Sequence, residues 1–243
     1  MDVSLVIPVF NEEDNIDPLL AEIQAALGAV DYEVIYVDDG STDTTPQRLR
    51  ALAQSFDRLR VIRHEHSCGQ STAVCTGVRQ ARAPWIATLD GDGQNDPADI
   101  PKMLIEACRV EALRQKPLVC VCGFRRTRRD TWLKRLSSRI ANRVRSTLLR
   151  DDTPDTGCGL KVFSREAFLA LPYFDHMHRF LPALFLRGGG AIISVEVNHR
   201  ERTRGVSKYG LFNRLWVGMV DLCGVAWLQR RARVPKIIED PPN

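Results

Sequence analysis

Early in the chain three short, almost wholly apolar runs, 3–9, 32–37 and 84–89, each stop abruptly at a cluster of acids and amides. Runs of that length without polar alternation read as strands covered on both faces. Amphipathic stretches between them supply the cover, the first with Ile16, Leu19, Leu20, Ile23 and Leu27 along one face. Parallel βαβ units follow from that alternation. Further strands are expected at 59–62 and 118–122, with helices starting near Thr45, where Pro46 suits a first helical position, near Gly69, and at Ala98. The expectation is an α/β chain built on a doubly wound, mostly parallel sheet of five strands, and 243 residues suffice to bury its core without staples.

In such sheets ligands bind beyond the carboxyl ends of the strands, so the residues that end each run are the ones to read for chemistry. The first run ends at Pro8, Phe10, Asn11 and Glu12, the second at Asp38, Asp39, Gly40 and Ser41, and the third at Asp90, Gly91, Asp92, Gly93, Gln94 and Asn95. Asp90 and Asp92 flank a glycine, which lets two carboxylates enter one crevice; with the Gln94 carbonyl they suit Mg²⁺ or Mn²⁺ shared with a substrate phosphate. A solvated Asp-Gly turn is the plainer reading of the same residues. Asp38 and Asp39 are either a capping turn or acceptors for the base and ribose of a nucleotide. No Gly-x-Gly-x-x-Gly follows the first run and no Gly-Lys-Ser or Gly-Lys-Thr loop occurs, which disfavours a dinucleotide oxidoreductase and a P-loop NTPase.

Charge is segregated along the chain. Residues 1–100 hold 7 basic and 17 acidic groups, net −10, which leaves +14 for the remainder of a chain whose total is +4. Between Gly123 and Arg150 there are ten Lys or Arg against the single acid Asp130. Within that stretch Leu133, Leu136, Ile140, Val144 and Leu148 form one helical stripe, so 132–149 reads as a basic amphipathic helix suited to an anionic partner. Short strands at 160–163 and 191–197 and a helix capped by Ser164 follow. The tail 211–228 is apolar but broken by Asn213, Arg214 and Asp221, which suits lying in a membrane interface better than spanning it. Nucleic acid is the rival anion, but no recognised motif accompanies the arginines and aromatics are only 7%. The seven cysteines are odd in number and irregular in spacing, and Met1 runs straight into the first strand with no secretory leader, so a reducing, cytoplasmic setting is expected. The Cys120/Cys122 and His176/His178 pairs read as strand alternation or surface residues rather than zinc ligands.

Seven segments in order, VIPVFNEE (6–13), VDDGSTD (37–43), LDGDGQNDP (89–97), GFR (123–125), SRIAN (138–142), DTGCG (155–159) and RTRGVSKY (202–209), resemble the family 2 glycosyltransferases of the GT-A (Rossmann-like) fold. Within them they are similar to the dolichol-phosphate mannosyltransferase type, and the resemblance spans nearly the whole chain. It implies a catalytic domain over 1–210, with a nucleotide-binding half (1–123) and an acceptor-binding half (124–210), then a membrane-interface helix and tail over 211–243. It also implies nucleotide contacts at Pro8, Phe10, Glu12, Val37 and Asp39, and a Mg²⁺ or Mn²⁺ with the nucleotide diphosphate at Asp90, Asp92 and Gln94. Arg125, Arg202 and Lys208 would face phosphates, and Arg135 and Ser138 would sit near a lipid phosphate. Where the family usually has Tyr, Ala and Leu this chain has Phe10, Gly91 and Gly93, changes that remodel the wall around base and sugar.

The implied activity is inverting transfer of a sugar from a UDP- or GDP-sugar to a polyprenyl phosphate. A phosphate monoester is already anionic near neutrality, its second pKa being about 6, so Asp155 is expected to orient the acceptor rather than to act as an obligatory base. Other expected partners are an anionic membrane surface, met peripherally on the cytoplasmic face, and a separate membrane protein. The competing readings are a family 2 transferase acting on a saccharide or protein hydroxyl, and a nucleotide-sugar-binding protein without turnover.

Overall fold

The computed structural model describes residues 1–114, 118–125, 145–200 and 211–234. Its strands are β1 (Val3–Val9), β2 (Tyr32–Asp38), β3 (Leu59–Arg63), β4 (Trp85–Thr88), β5 (Val119–Phe124), β6 (Lys161–Ser164) and β7 (Ala191–Glu196). The helices are α1 (Ile16–Ala26), α2 (Thr45–Ser55), α3 (Gln70–Gln80), α4 (Ile100–Arg114), α5 (Arg165–Leu169), α6 (Leu181–Arg187) and α7 (Leu211–Arg230). Residues 145–149 are helical as well, the described end of the expected basic helix; residues 126–144 of that stretch lie outside the described residues.

All seven strands form one sheet in the order β3-β2-β1-β4-β6-β5-β7. β1 pairs in parallel with β2 and β4, β2 with β3, and β5 with β7, whereas β6 runs antiparallel to both β4 and β5. The mostly parallel sheet is therefore as expected, but among the described residues it has seven strands rather than five. The fifth strand does not lie beside the fourth, because β6, some forty residues later, is inserted between them. Register is a tertiary matter that short apolar runs do not encode.

The core lies on both faces of the sheet. From β1, Leu5 and Ile7 pack with Ile16, Ile23 and Ile100, while Val6 faces the opposite layer with Val74, Val78, Phe163 and Phe185. Every one of these is essentially inaccessible, and truncating such a residue to Ala costs about 2–5 kcal/mol. α3 lies close against β1 because Gly77 has no Cβ: one would meet Val6 Cγ1 at 2.4 Å. A buried polar knot ties the sheet to its edge, where Glu33 accepts from Ser4 Oγ (2.7 Å), Arg60 Nη1 (3.0 Å) and the Arg82 amide (2.7 Å). Ser164 caps α5 as expected, its hydroxyl accepting from the Ala167 amide at 3.3 Å.

Candidate active site

Parallel pairing of β1 with β2 and β4 brings three strand ends to one rim, with Val9 opposite Asp38 and Val6 opposite Thr88. The loops beyond are knitted together. The Asn11 amide, at φ 52°, donates to Ser41 Oγ (2.9 Å) and its side-chain oxygen accepts from the Thr42 amide (2.7 Å). The Glu12 amide donates to Thr45 Oγ1 (3.0 Å), and the Glu12 carboxylate accepts from Asn15 Nδ2 (2.7 Å). Gly91 is pressed against the end of β1: a Cβ there would sit 2.5 Å from Val9 Cγ1 and 3.1 Å from the Pro8 carbonyl. Pro8, Phe10, Glu12, Asp39, Asp90 and Asp92 thus share one rim, as expected from their places at the strand ends.

The two aspartates after β2 are both engaged by the protein. Asp38 accepts from the Ser41 amide (2.9 Å) and pairs with Arg63 (3.2 Å), the capping-turn role. Asp39 accepts from His64 Nδ1 (2.7 Å), Ser67 Oγ (2.7 Å) and the amides of Cys68 (2.9 Å) and Gly69 (2.8 Å). Burial acts to raise its pKa, but these hydrogen bonds outweigh it and hold the carboxyl below its usual range. Ligand-type atoms of Asp39, His64 and Cys68 lie within 4.8 Å of one another. With both Asp39 oxygens filled by donors, and His64 Nε2 bonded to Thr76 Oγ1 (2.9 Å), this cluster is a hydrogen-bonded hub that fixes the 64–69 loop. Sequence spacing gave His64 no role.

Asp90, half-buried at the end of β4, is the acid most enclosed by the second half of the chain. One oxygen accepts from Gln70 Nε2 (2.8 Å), and its amide donates to Asn95 Oδ1 (3.1 Å). Burial, and then the neighbouring charge of Asp92, push its pKa up. Two half-buried carboxylates side by side, one of them destabilised as an anion, form a donor set that a hard divalent cation neutralises. Space is kept by Gly159, where a Cβ would lie 2.2 Å from Asp90 Oδ2. The residues present therefore fit Mg²⁺ or Mn²⁺. Gln94 is placed by its amide, which donates to Asp92 Oδ1 (3.1 Å), while its carbonyl accepts from the Arg200 amide (3.0 Å). One lone pair of that expected ligand is thus used by the protein.

Antiparallel β6 carries the second half of the chain to this crevice. Lys161 is only 4% exposed, and its Nζ donates to the carbonyls of Cys158 and Thr156. Asp155 forms a two-pronged ion pair with Arg125, Nε to Oδ2 at 2.6 Å and Nη2 to Oδ1 at 3.0 Å. Burial opposes the Arg125 charge, but the Asp155 contact overrides it and raises the guanidinium pKa further. Arg125, expected to face a phosphate, has its fork engaged by a carboxylate. Behind Asp90 a small cavity of ≈20 Å³ is bordered by Gln70, Lys161 and His178. Burial, then Arg179, Lys161 and His176, lower the His178 pKa to about 3, so its imidazole is neutral and is held by Ser71 Oγ (2.7 Å).

The segment after β7 is clamped onto the Asp90–Asp96 loop. The Asn198 amide donates to Asp99 Oδ2 (2.7 Å), Asn95 bridges His199, and Arg200 reaches Glu22 (2.7 Å) and Asp96 (2.8 Å). This clamp delivers the chain to the segment bearing Arg202 and Lys208. Arg202 and Lys208, with Arg135 and Ser138, lie outside the described residues. Gln70, Gly159, Lys161 and Arg200 were not singled out by sequence. Of these only Gly159 carried a signal, as the end of the DTGCG segment. The Cys120/Cys122 pair follows strand alternation, both buried and free with Sγ atoms 3.6 Å apart.

This arrangement has counterparts. The dodecaprenyl-phosphate galacturonate synthase of Rhizobium johnstonii is 35% identical over 95% of this chain and 68% of its own length. The undecaprenyl-phosphate 4-deoxy-4-formamido-L-arabinose transferase of Aeromonas hydrophila is 35% identical over 87% of this chain and 64% of its own length. The chain thus spans about two thirds of the length of these curated relatives. Among solved structures, glucosyl-3-phosphoglycerate synthase of Mycobacterium tuberculosis, in complex with Mn²⁺, UDP-glucose and glycerol 3-phosphate, is similar in fold, with a TM-score of 0.64 at 21% identity over 97% of this chain and 81% of that one. The profile described as glycosyl transferase family 2 matches residues 4–171, a span that runs from β1 through β6 and holds Asp90 and Asp92, and the chain belongs to that family.

Proposed function

We propose that the chain transfers a sugar from a nucleotide sugar to a polyprenyl phosphate, with inversion at the anomeric carbon. The observation that carries this reading is the 35% identity, over 95% of the chain, to a relative named for a polyprenyl-phosphate acceptor, joined to the half-buried Asp90 and Asp92 pair at the sheet rim. The base of the donor lies against Pro8, Phe10 and Glu12; Val37, also expected to touch it, is wholly inaccessible in the core with Val6 and Val78 and so supports that wall from behind. Asp39, occupied with the 64–69 loop, shapes the wall of that pocket. Asp90 and Asp92, with the remaining lone pair of the Gln94 carbonyl, would hold Mg²⁺ or Mn²⁺. Such an ion neutralises charge on a leaving nucleoside diphosphate.

In the transfer, an acceptor phosphate oxygen forms the new bond to the anomeric carbon as the bond to the diphosphate oxygen breaks, with the electron pair leaving on the nucleoside diphosphate. The acceptor is an anion already, so no proton need be removed. Asp155 then serves by fixing Arg125 as a rigid cationic wall for phosphates, and Arg202 and Lys208 complete the anion-binding side. The same reading sets the protein peripherally on the cytoplasmic face of a membrane, in keeping with seven unpaired cysteines.

The test is transfer of label from a panel of UDP- and GDP-sugars to undecaprenyl phosphate with Mg²⁺, Mn²⁺ or EDTA. Label in the lipid fraction only with metal is expected. Donor hydrolysis without lipid product would overturn the acceptor assignment, and silence across the panel would overturn transfer itself. Asp155→Asn should lower activity through loss of the Arg125 clamp; a loss of several orders of magnitude with substrate binding intact would restore a base role.

A further inference from the structure

One helix length from the catalytic crevice lies a second, larger cavity that the transfer reaction does not use. Leu181, at the start of α6, borders the crevice with Asp90 and His178, whereas Leu186 and Arg187, at its end, border an open groove of ≈870 Å³. The two cavities share no lining residue and stand roughly 10 Å apart along the helix. The groove runs between the helical residues 147–149, the end of α6 and the end of α7, and its size is that of a site for a small organic molecule.

Its chemistry is two-fold. Three arginines line it, Arg150, Arg187 and Arg230, and among the described residues no acidic residue does. Arg187 Nε is used by the Leu228 carbonyl (3.1 Å), but among the described residues neither Arg150 nor Arg230 pairs with a carboxylate. The remaining lining is mostly apolar, with Leu148, Leu186, Ala226 and Val234. An occupant must satisfy both halves, presenting an anionic head to the arginines and a hydrocarbon body to the rest. A soluble phosphate lacks the second.

The surroundings continue the theme. Leu148 and Val234 at the rim are exposed, and α7 turns outward a stripe of Val220, Cys223 and Trp227, the tryptophan being 58% exposed. Arg231 lies over the Trp227 ring at 5.9 Å, a pairing suited to a headgroup layer. Among the described residues no helix is long and apolar enough to cross a bilayer. A helix with such a stripe beside unpaired cations lies along an anionic lipid surface.

We propose that the groove between residues 147–150, α6 and α7 binds the phosphate and adjoining acyl chains of an anionic membrane phospholipid, distinct from any acceptor lipid, and so seats α7 on the membrane. This rests on the reading that the chain works at a membrane, but not on the acceptor's identity. The test uses the full chain with vesicles of phosphatidylcholine alone or with phosphatidylglycerol, free of polyprenyl phosphate, read by co-sedimentation and by tryptophan emission. Binding should require phosphatidylglycerol, weaken with salt, and resist displacement by soluble glycerophosphate. The double variant Arg150→Asn/Arg230→Gln should bind roughly 30-fold more weakly, at about 1 kcal/mol for each cation. Asn suits the left-handed backbone of Arg150 (φ 53°). Transfer to a detergent-solubilised acceptor should stay within about twofold, and Arg150→Lys/Arg230→Lys should retain vesicle binding. Equal binding to both vesicle types, wild-type binding by the neutral double variant, or displacement by soluble glycerophosphate would overturn the proposal. Vesicle binding with these signatures in a chain inactive on every acceptor would sink the transfer reading and leave the groove standing.

Discussion

Gly159→Ala isolates the carboxylate crevice from the rest of the fold. The added methyl would meet Asp90 Oδ2 at 2.2 Å, Cγ at 2.3 Å and Oδ1 at 2.6 Å. Ordinary contact is about 3.5–4 Å, so the carboxylate or the backbone leading into β6 must move by more than about 1 Å. Neither is loose. Asp90 is gripped by Gln70 at 2.8 Å, while the Gly159 carbonyl accepts from Thr88 Oγ1 at 2.9 Å and Lys161 is in register with Thr88. Overpacking of this kind costs about 1–3 kcal/mol of stability, which a chain of this size survives. A shift of about 1 Å in a metal ligand costs on the order of 10²-fold in the step it serves. Mn²⁺ affinity in the presence of nucleoside diphosphate, measured by calorimetry or electron paramagnetic resonance, should therefore fall about a hundredfold, with turnover falling alongside. Gly218→Ala, where a Cβ meets nothing within 4 Å, is the control and should leave both unchanged while stabilising the helix slightly. A Gly159→Ala protein that folds, binds Mn²⁺ and turns over like wild type would refute the placement of the metal at Asp90.

Because burial and then Asp92 raise the Asp90 pKa, the folded metal-free chain keeps a proton that the unfolded chain releases. From the ordinary carboxylate range up to the folded pKa its stability falls as pH rises, so the melting shift on adding Mn²⁺ should grow with pH; a shift that shrinks would contradict this. Tyr36 is fully buried with a hydroxyl that lacks a hydrogen-bond partner among the described residues, and Tyr36→Phe should raise stability in urea by about 1 kcal/mol, whereas a loss of that size would reveal an unrecognised bond. Arg200→Ala removes the links to Glu22 and Asp96. Those pairs are partly exposed, so melts should show a loss of about 1 kcal/mol or less, whereas turnover should drop about tenfold with little change in donor KM because the segment bearing Arg202 and Lys208 loses its anchor. An unchanged turnover would confine Arg200 to a structural role.

The strands β1, β2 and β4 and the rim they build were legible because apolar runs and the polar residues that end them are local signals. β6 was legible as a short strand but not by position, since nothing in KVFS says that it will run antiparallel between β4 and β5. Its Lys161 is a buried cation at a place where a lysine reads as solvent-facing; the carbonyls that hold it come from backbone geometry. Gln70 as the partner of Asp90 had no signature, because twenty residues and a whole helix separate them. Arg125 was expected to face a phosphate only because the family resemblance implied it, and its pairing with Asp155 became visible only once β5 and the 155–159 turn stood side by side.

The insertion of β6 also bears on how the protein is made. When β4 leaves the ribosome its outer edge has no partner, and the strand that will cover it is about seventy residues away, roughly 4–15 s at ordinary rates of synthesis. For that interval the nascent first half presents an open parallel edge, the kind of surface that pairs with neighbouring chains. A truncation at residue 123 would make the exposure permanent. The antiparallel strand thus acts as the late-arriving seal on a half-built sheet, and yield in the cell should depend on whatever shields that edge until it comes.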